Sequence, residues 1–466
     1  MTPDGPGAGS APGAAGSGGS AGSGELLRAI GLPGAVAMGL GSIVGTGLFV
    51  SLGIAAGVAG SALLLALPLA ALLALFNGLS SAQLAAAHPV SGGTYAYGTR
   101  FLSPGFGFAA GTMFLLAKSA SAATAALGLA GYILVGLGTG NGPAGRIALA
   151  AASVLLLTAL TAGGIRRSNR VNMSIVGVTL VVFLLFVGAG AVRGSGWILE
   201  LAAGRDPGSL LAAGGSVVAQ WFRDAVVGPG AGPLLHATAL LFVAYTGYGR
   251  IATLGEEVRD PARTIPRAIW ITLGTVALLY MGVAATAVFT LGAEEFARET
   301  ARTAAPLQAV ARVLAMPGLV LAVSVAAVTA MMGVLLNLIL GLSRVAFAMG
   351  RQGDLPGAVG RVHASSGSPR LAVWLTGAVI LGLVLLGDVR TTWSFSAFTV
   401  LLYYGITNLA ALRLPAELRL YPRWVPAAGL LGCLLLAFHV PPVMWAAGLG
   451  LLALAFAGRQ VGRRRG

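Results

Sequence analysis

Apolar residues in this chain do not alternate with polar ones at helix or strand period. They run on in blocks separated by short turns that hold most of the charge. The blocks fall at about 33–56, 61–86, 105–137, 146–164, 171–192 and 234–254, and again at about 267–292, 316–348, 370–387, 393–412, 424–439 and 441–458. About 20 helical residues, each rising about 1.5 Å, cross roughly 30 Å of hydrocarbon. The pattern predicts an all-α integral membrane protein of about twelve transmembrane helices, the last two separated only by Pro441 and Pro442.

Composition agrees. Of 466 residues 56% are hydrophobic and 9% charged, with a mean hydropathy of +0.87, whereas a soluble domain needs about 25% charged residues to clothe its surface. The net charge of +15 would suggest nucleic acid in a soluble protein. Here no basic patch is interleaved with aromatics, and cationic loops held on the cytoplasmic side explain it. With the N-terminus inside, Arg100, the Arg166–Arg167–Arg170 group, the Arg259–Arg263–Arg267 group, Arg351, Arg361 and Arg370, and Arg413, Arg419 and Arg423 all fall in cytoplasmic loops. Both termini are then cytoplasmic, in a multi-pass plasma-membrane protein. Residues 1–24 are Gly, Ser, Ala and Pro around a single Asp4, a composition expected to stay disordered and unlike a cleaved signal peptide. Cys433 is alone, so no disulfide framework or thiolate metal site is expected, and His88, His236, His363 and His439 are scattered at loops or span ends. Nothing implies a cofactor.

Two spans stand apart. The first holds Gly39, Gly41, Gly45 and Gly47 in mid-membrane, and the sixth holds Gly247 and Gly249. Glycine costs a helix interior about 1 kcal/mol relative to alanine, so clustered glycines invite unwinding. Unwound backbone at membrane depth survives only where protein surrounds it or a cavity lies beside it. Single glycines serve as packing residues in membrane helices; paired clusters at matching positions of two halves point to the substrate site of an inverted-repeat transporter. The expected organisation is a tail at 1–24, a five-helix repeat at 25–193, an extracellular connection at 194–233, a second five-helix repeat at 234–415, two further helices at 416–459 and a basic tail at 460–466.

Three stretches resemble the amino acid–polyamine–organocation (APC) superfamily of permeases. They are Gly41-Ser42-Ile43-Val44-Gly45-Thr46-Gly47-Leu48-Phe49, then Pro89 to Tyr97, then Gly247 to Pro261 continuing as Ile265-Pro266-Arg267. A weaker fourth is Ser343-Arg344 through Gly353-Asp354-Leu355-Pro356. The resemblance implies the LeuT-type fold, helices 1 and 6 broken, and alternating access. It implies a substrate carboxylate on the backbone amides of Ser42, Ile43, Val44, Gly45, Thr46 and Gly47, at the positive end of a half-helix. The substrate ammonium would be met by carbonyls around Ile43 and Ala244 to Thr246, with Tyr245, Gly247 and Tyr248 completing the pocket. Many members carry Asp and then a small residue after this tyrosine; here stand Gly249 and Arg250. Arg250, Glu256 and Glu257 are therefore gating candidates, with a solvated helix end as the plainer alternative.

Of 29 basic residues only Lys118 is lysine. It sits about twelve residues, or roughly 18 Å, into the third span, too deep to snorkel fully to the interface. Lysine, unlike arginine, can be brought toward neutrality by burial, so Lys118 is a proton-coupling candidate. The competing expectation is a sodium site built with Thr329 or Asn337 of the eighth span. The chain is thus read as a secondary transporter for amino acids, coupled to protons or working by exchange, with sodium coupling as the alternative. Neutral substrates are favoured because no acid lies in the pocket. A channel fits less well: Thr246-Gly247-Tyr248-Gly249 lacks the valine and the re-entrant loop of a potassium filter. A dinucleotide-binding enzyme fails on the spacing of residues 39–47. A receptor of the same fold differs only in carrying no flux.

Overall fold

The computed structural model describes residues 30–89, 92–139, 142–164, 169–202, 230–252, 258–363 and 368–465. Among them there is no β-strand, only isolated bridges at Ile30–Val258 and His363–Ser368. The first broken span comprises α1 (Leu32–Ile43), a π-helical turn (Gly47–Ser51) and α2 (Leu52–Ala59). Gly60, at φ 58°, turns the chain into α3 (Leu63–Ala87), which is followed by α4 (Thr94–Phe101), α5 (Pro104–Gly136), α6 (Pro143–Ala162) and α7 (Asn169–Ala202). The second broken span is α8 (Ala231–Tyr245), a 3-10 turn (Thr246–Tyr248) and α9 (Gly249–Ala252). Then come α10 (Pro261–Leu291), α11 (Ala293–Thr303), α12 (Pro306–Leu314), α13 (Leu319–Arg351), α14 (Arg370–Val384), α15 (Val389–Leu412), α16 (Trp424–Ala437) and α17 (Pro442–Arg465).

Within the described residues the expected hydrophobic blocks lie mostly on helical backbone, the first interrupted at Val44–Gly45. Among the described residues, eight helical stretches are long and apolar enough to cross a membrane, and α1, α14 and α16 are shorter apolar helices. The sequence-based boundary at residue 193 lies inside α7, which runs on to Ala202. Residues 1–24 and most of 194–233 lie outside the described set. Between α10 and α13 stand α11 and α12, two short helices; α11 packs on α2, and Gly53 leaves room for Thr300.

The bundle is built around α5, which packs on α13 and α15, while α3 packs on α8 and α10. Leu156, Leu184, Leu278, Leu431 and Leu454 face outward, as a lipid solvent allows. The interior is small and hydroxylic, because helices in lipid associate through close approach and interhelical hydrogen bonds rather than through exclusion of water. Along α5, Ala117, Ala120, Ala122 and Ala123 are buried. Its hydroxyls meet those of α15: Ser121 with Ser396 at 2.8 Å, and Thr124 with Thr392 at 2.8 Å. Asn408 of α15 donates to Asn77 of α3 at 2.7 Å.

At the α4 end of the bundle one ion pair is withdrawn from solvent. Arg459 of α17 donates to Asp354, just beyond α13, at 2.7 Å, with side chains 8% and 5% exposed. Tyr95 of α4 lies 2.8 Å from the other carboxylate oxygen, and the guanidinium covers the Phe108 ring at 4.7 Å. Removing one partner of a buried pair strands the other, at a cost of about 3–5 kcal/mol. Asp354→Asn is therefore expected to lower the thermal unfolding midpoint in detergent. The buried Cys433 thiol reports it through a thiol-reactive dye; an unchanged midpoint contradicts a structural role for the pair.

Candidate functional site

The two broken spans touch at their breaks. At Val44 the backbone leaves the helix, at φ −74° and ψ 100°, and helical bonding resumes with Leu48 and Phe49 donating to the Gly45 carbonyl at 2.9 and 3.0 Å. In the second span the α-helix gives way at Thr246 to a single 3-10 turn. Glycine makes the contact possible. A Cβ on Gly247 would lie 2.5 Å from the Ser42 carbonyl oxygen, and one on Gly47 would lie 2.8 Å from the Ala244 Cβ.

Direction matters as much as contact. Both α1 and α8 end at the breaks, so two helix C-termini, each equivalent to about half a negative charge, meet there. In the first span the half that follows begins there with the N–H groups of Gly45 to Gly47, whereas in the second Thr246 and Gly249 donate theirs within the 3-10 turn. One side of the junction suits a cation and the other an anion.

Side chains from neighbouring helices occupy the freed carbonyls. The Tyr280 hydroxyl of α10 lies 3.1 Å from the Ile43 carbonyl oxygen and 3.2 Å from that of Ala244. Tyr404 of α15 donates to the Thr246 carbonyl at 3.3 Å. Thr246 turns its hydroxyl onto the Val243 carbonyl at 2.7 Å and accepts from the Lys118 ammonium at 2.9 Å. Tyr132 of α5 donates to the Phe49 carbonyl at 3.0 Å. Thr46 and Tyr245 instead hold buried hydroxyls without a partner, which a polar ligand at the junction would satisfy.

Most of the residues singled out in the sequence thus come together. Ser42, half-buried at the end of α1, bonds the Met38 carbonyl at 2.8 Å. Tyr245 and Tyr248 are fully buried, stacked toward Tyr280 at 5.1 Å and Tyr404 at 5.5 Å between ring centroids. Lys118 reaches the second break, and among the described residues no acid pairs with it. Gly45 packs against Val334 and Ala330 of α13. Nearby on that helix Thr329 bonds its own backbone, the Val325 carbonyl at 2.7 Å, and Asn337 is half-buried. Arg250 is exposed on α9, while Glu256 and Glu257 lie outside the described residues. Surface clefts beside Arg302 and beside Leu434 do not reach the breaks.

Tyr280 and Tyr404 were missed by sequence reasoning. Each is one aromatic in an unbroken apolar span, and nothing local marks the long-range bond it makes. The adjacent tyrosines Tyr403-Tyr404 were the only hint.

Gly247→Ala is expected to wedge the breaks apart and to reduce function at least tenfold, since the Cβ would meet backbone. Gly274→Ala, with open space around it, serves as the control and should be tolerated. Equal behaviour of the two variants in the transport assay would contradict the packing described.

The family model described as amino acid permease matches residues 34–457. A transporter of Mycobacterium tuberculosis whose cargo is not named is 42% identical over 439 residues, covering 94% of this chain and 92% of its own. A branched-chain amino acid permease of Bacillus subtilis is 29% identical, covering 76% and 74%. A methylthioribose transporter of the same organism is 28% identical, covering 90% of each chain. The chain belongs to the amino acid permease family, within the APC superfamily of membrane transporters.

Proposed function

We propose that this chain is a secondary active transporter that moves neutral amino acids across the plasma membrane by alternating access. Both termini are then cytoplasmic, and ten of about twelve spans form two inverted five-helix repeats followed by two extra helices. One observation carries the reading: two interrupted helices meet in mid-bundle with opposite polar ends facing one junction. The expected carboxylate site narrows to the amides of Gly45 to Gly47, because Ser42 and Ile43 lie inside α1 and the Val44 amide donates to the Leu40 carbonyl at 2.8 Å. With the carbonyls of Ile43 and Ala244 open to an ammonium, the junction complements a zwitterion.

The charge of the junction argues for neutral cargo. Lys118 points at Thr246, and a second cationic group on the substrate would meet it with no carboxylate among the described residues to compensate. Of the two Bacillus relatives, one is a branched-chain amino acid permease, whose cargo has uncharged side chains, and the other a methylthioribose transporter, whose cargo bears no cationic group. Lys118 is also the residue we assign to proton coupling: its ammonium holds Thr246, and loss of the proton would release the second break. Sodium coupling is the alternative, supported by the approach of Gly45 to α13; Thr329, whose hydroxyl is engaged in its own helix, supports it less. Arg250, Glu256 and Glu257 remain gating candidates on the stretch that leaves the second break.

The test is uptake into proteoliposomes of a panel of labelled neutral, cationic and anionic amino acids, with proton and sodium gradients imposed separately. Flux of neutral amino acids driven by a proton gradient, or by counter-exchange, is the expected result. No flux of any amino acid contradicts transport, and sodium-dependent flux contradicts the coupling. Lys118→Met is expected to abolish gradient-driven accumulation while leaving exchange within about threefold of the parent. Full accumulation with unchanged pH dependence would remove Lys118 from coupling.

A further inference from the structure

We propose that Tyr280 stands in for the substrate amine when the carrier is empty, and that displacing it makes the site demand an ammonium. This rests on the substrate site proposed above. Tyr280 is fully buried on α10, outside both broken spans. Its oxygen lies 3.1 Å from the Ile43 carbonyl and 3.2 Å from the Ala244 carbonyl, the last turns of α1 and α8. A phenol has one proton. At any moment one carbonyl accepts it and the other faces only an oxygen lone pair, so the pair of acceptors is short by one donor.

An ammonium removes that shortfall. It brings three N–H donors and a positive charge to the point where two negative helix ends converge. A hydroxyl in the same place brings one proton, no more than Tyr280 already supplies. The site is therefore built to prefer an α-amino acid over the matching α-hydroxy acid, with the protein's own hydroxyl as the competitor that any cargo must displace.

The surroundings fit a group that moves. Gly47 has no side chain where the phenol oxygen approaches; a Cβ there would lie 2.7 Å away. The Tyr245 ring lies 5.1 Å from the Tyr280 ring, and the Tyr245 hydroxyl is buried without a partner. A displaced Tyr280 hydroxyl has this neighbour to bond. In the empty carrier, by contrast, Tyr280 supplies its one proton to this pair of buried carbonyls, which lets the unloaded protein close and return across the membrane.

The experiment is transport and binding of L-leucine by full-length protein in proteoliposomes, with Tyr280→Phe beside wild type and L-2-hydroxyisocaproate as the competitor lacking the amine. Removing the internal competitor should lower the half-saturating L-leucine concentration by about three- to tenfold, the worth of one hydrogen bond. It should also raise the ratio of exchange to net uptake, because only the empty return step loses its placeholder. A merely structural hydroxyl would depress exchange and net uptake together, leaving their ratio unchanged. That result, or an unchanged half-saturation, overturns the inference. Wild-type protein tests it without any variant: L-2-hydroxyisocaproate should compete at least about tenfold more weakly than L-leucine, and equal competition overturns the inference. Absence of all amino acid flux in wild type overturns the transport reading and this inference with it, whereas wild-type flux with an indistinguishable Tyr280→Phe overturns the inference alone.

Discussion

Backbone that leaves the helix inside a membrane must find partners, and the rest of this structure is arranged around that demand. Two spans are interrupted, at Val44–Gly45 and at Thr246–Tyr248, and lipid offers nothing to bond the groups set free. The protein answers with side chains from other helices: Tyr280 from α10, Tyr132 and Lys118 from α5, Tyr404 from α15. Each donor is a single hydroxyl or ammonium aimed at a carbonyl or a threonine. The breaks are thereby held without a continuous helical ladder.

The remainder of the bundle serves to fix those donors. Tyr404 is held because α15 is pinned to α5 by Ser121–Ser396 and Thr124–Thr392 and to α3 by Asn77–Asn408. Small residues on α5 let the helices come close enough for hydroxyls to meet directly. Trp393, next to Thr392 on α15, donates to the Leu240 carbonyl at 2.9 Å and so ties α8 to the same frame. The division is plain: a frame of α5, α10 and α15 carries the donors, and the broken spans carry the acceptors.

Much of this was legible in the chain, for a physical reason. Lipid removes the alternation that makes soluble helices hard to delimit, so unbroken apolar blocks predicted where the helices lie. Clustered glycine marked the two breaks, because the backbone itself must approach another backbone there, as Gly247 does at Ser42. Lys118 was conspicuous as a charge deep in an apolar span. The tyrosines were not. Tyr280 contacts Ile43 across 237 positions of sequence, and in Leu279-Tyr280-Met281 it reads as ordinary filling for an apolar span. The Asp354–Arg459 pair was equally hidden: both residues lie where charges are expected to be solvated, and only the packing of α17 against α5 brings them together. The gating candidates Glu256 and Glu257 stay as expectations of the sequence.

The central claim is that the meeting point of the two breaks is where cargo binds. Substrate protection of a cysteine placed there tests it most directly. Cys433 is the only native thiol and is buried, so Ser42→Cys, at a half-buried position beside Gly247, introduces one reactive group at the junction. The account predicts that a transported amino acid slows its modification by a small thiol reagent at concentrations near half-saturation of uptake. Modification at position 42 that proceeds at the same rate with and without saturating cargo would contradict it.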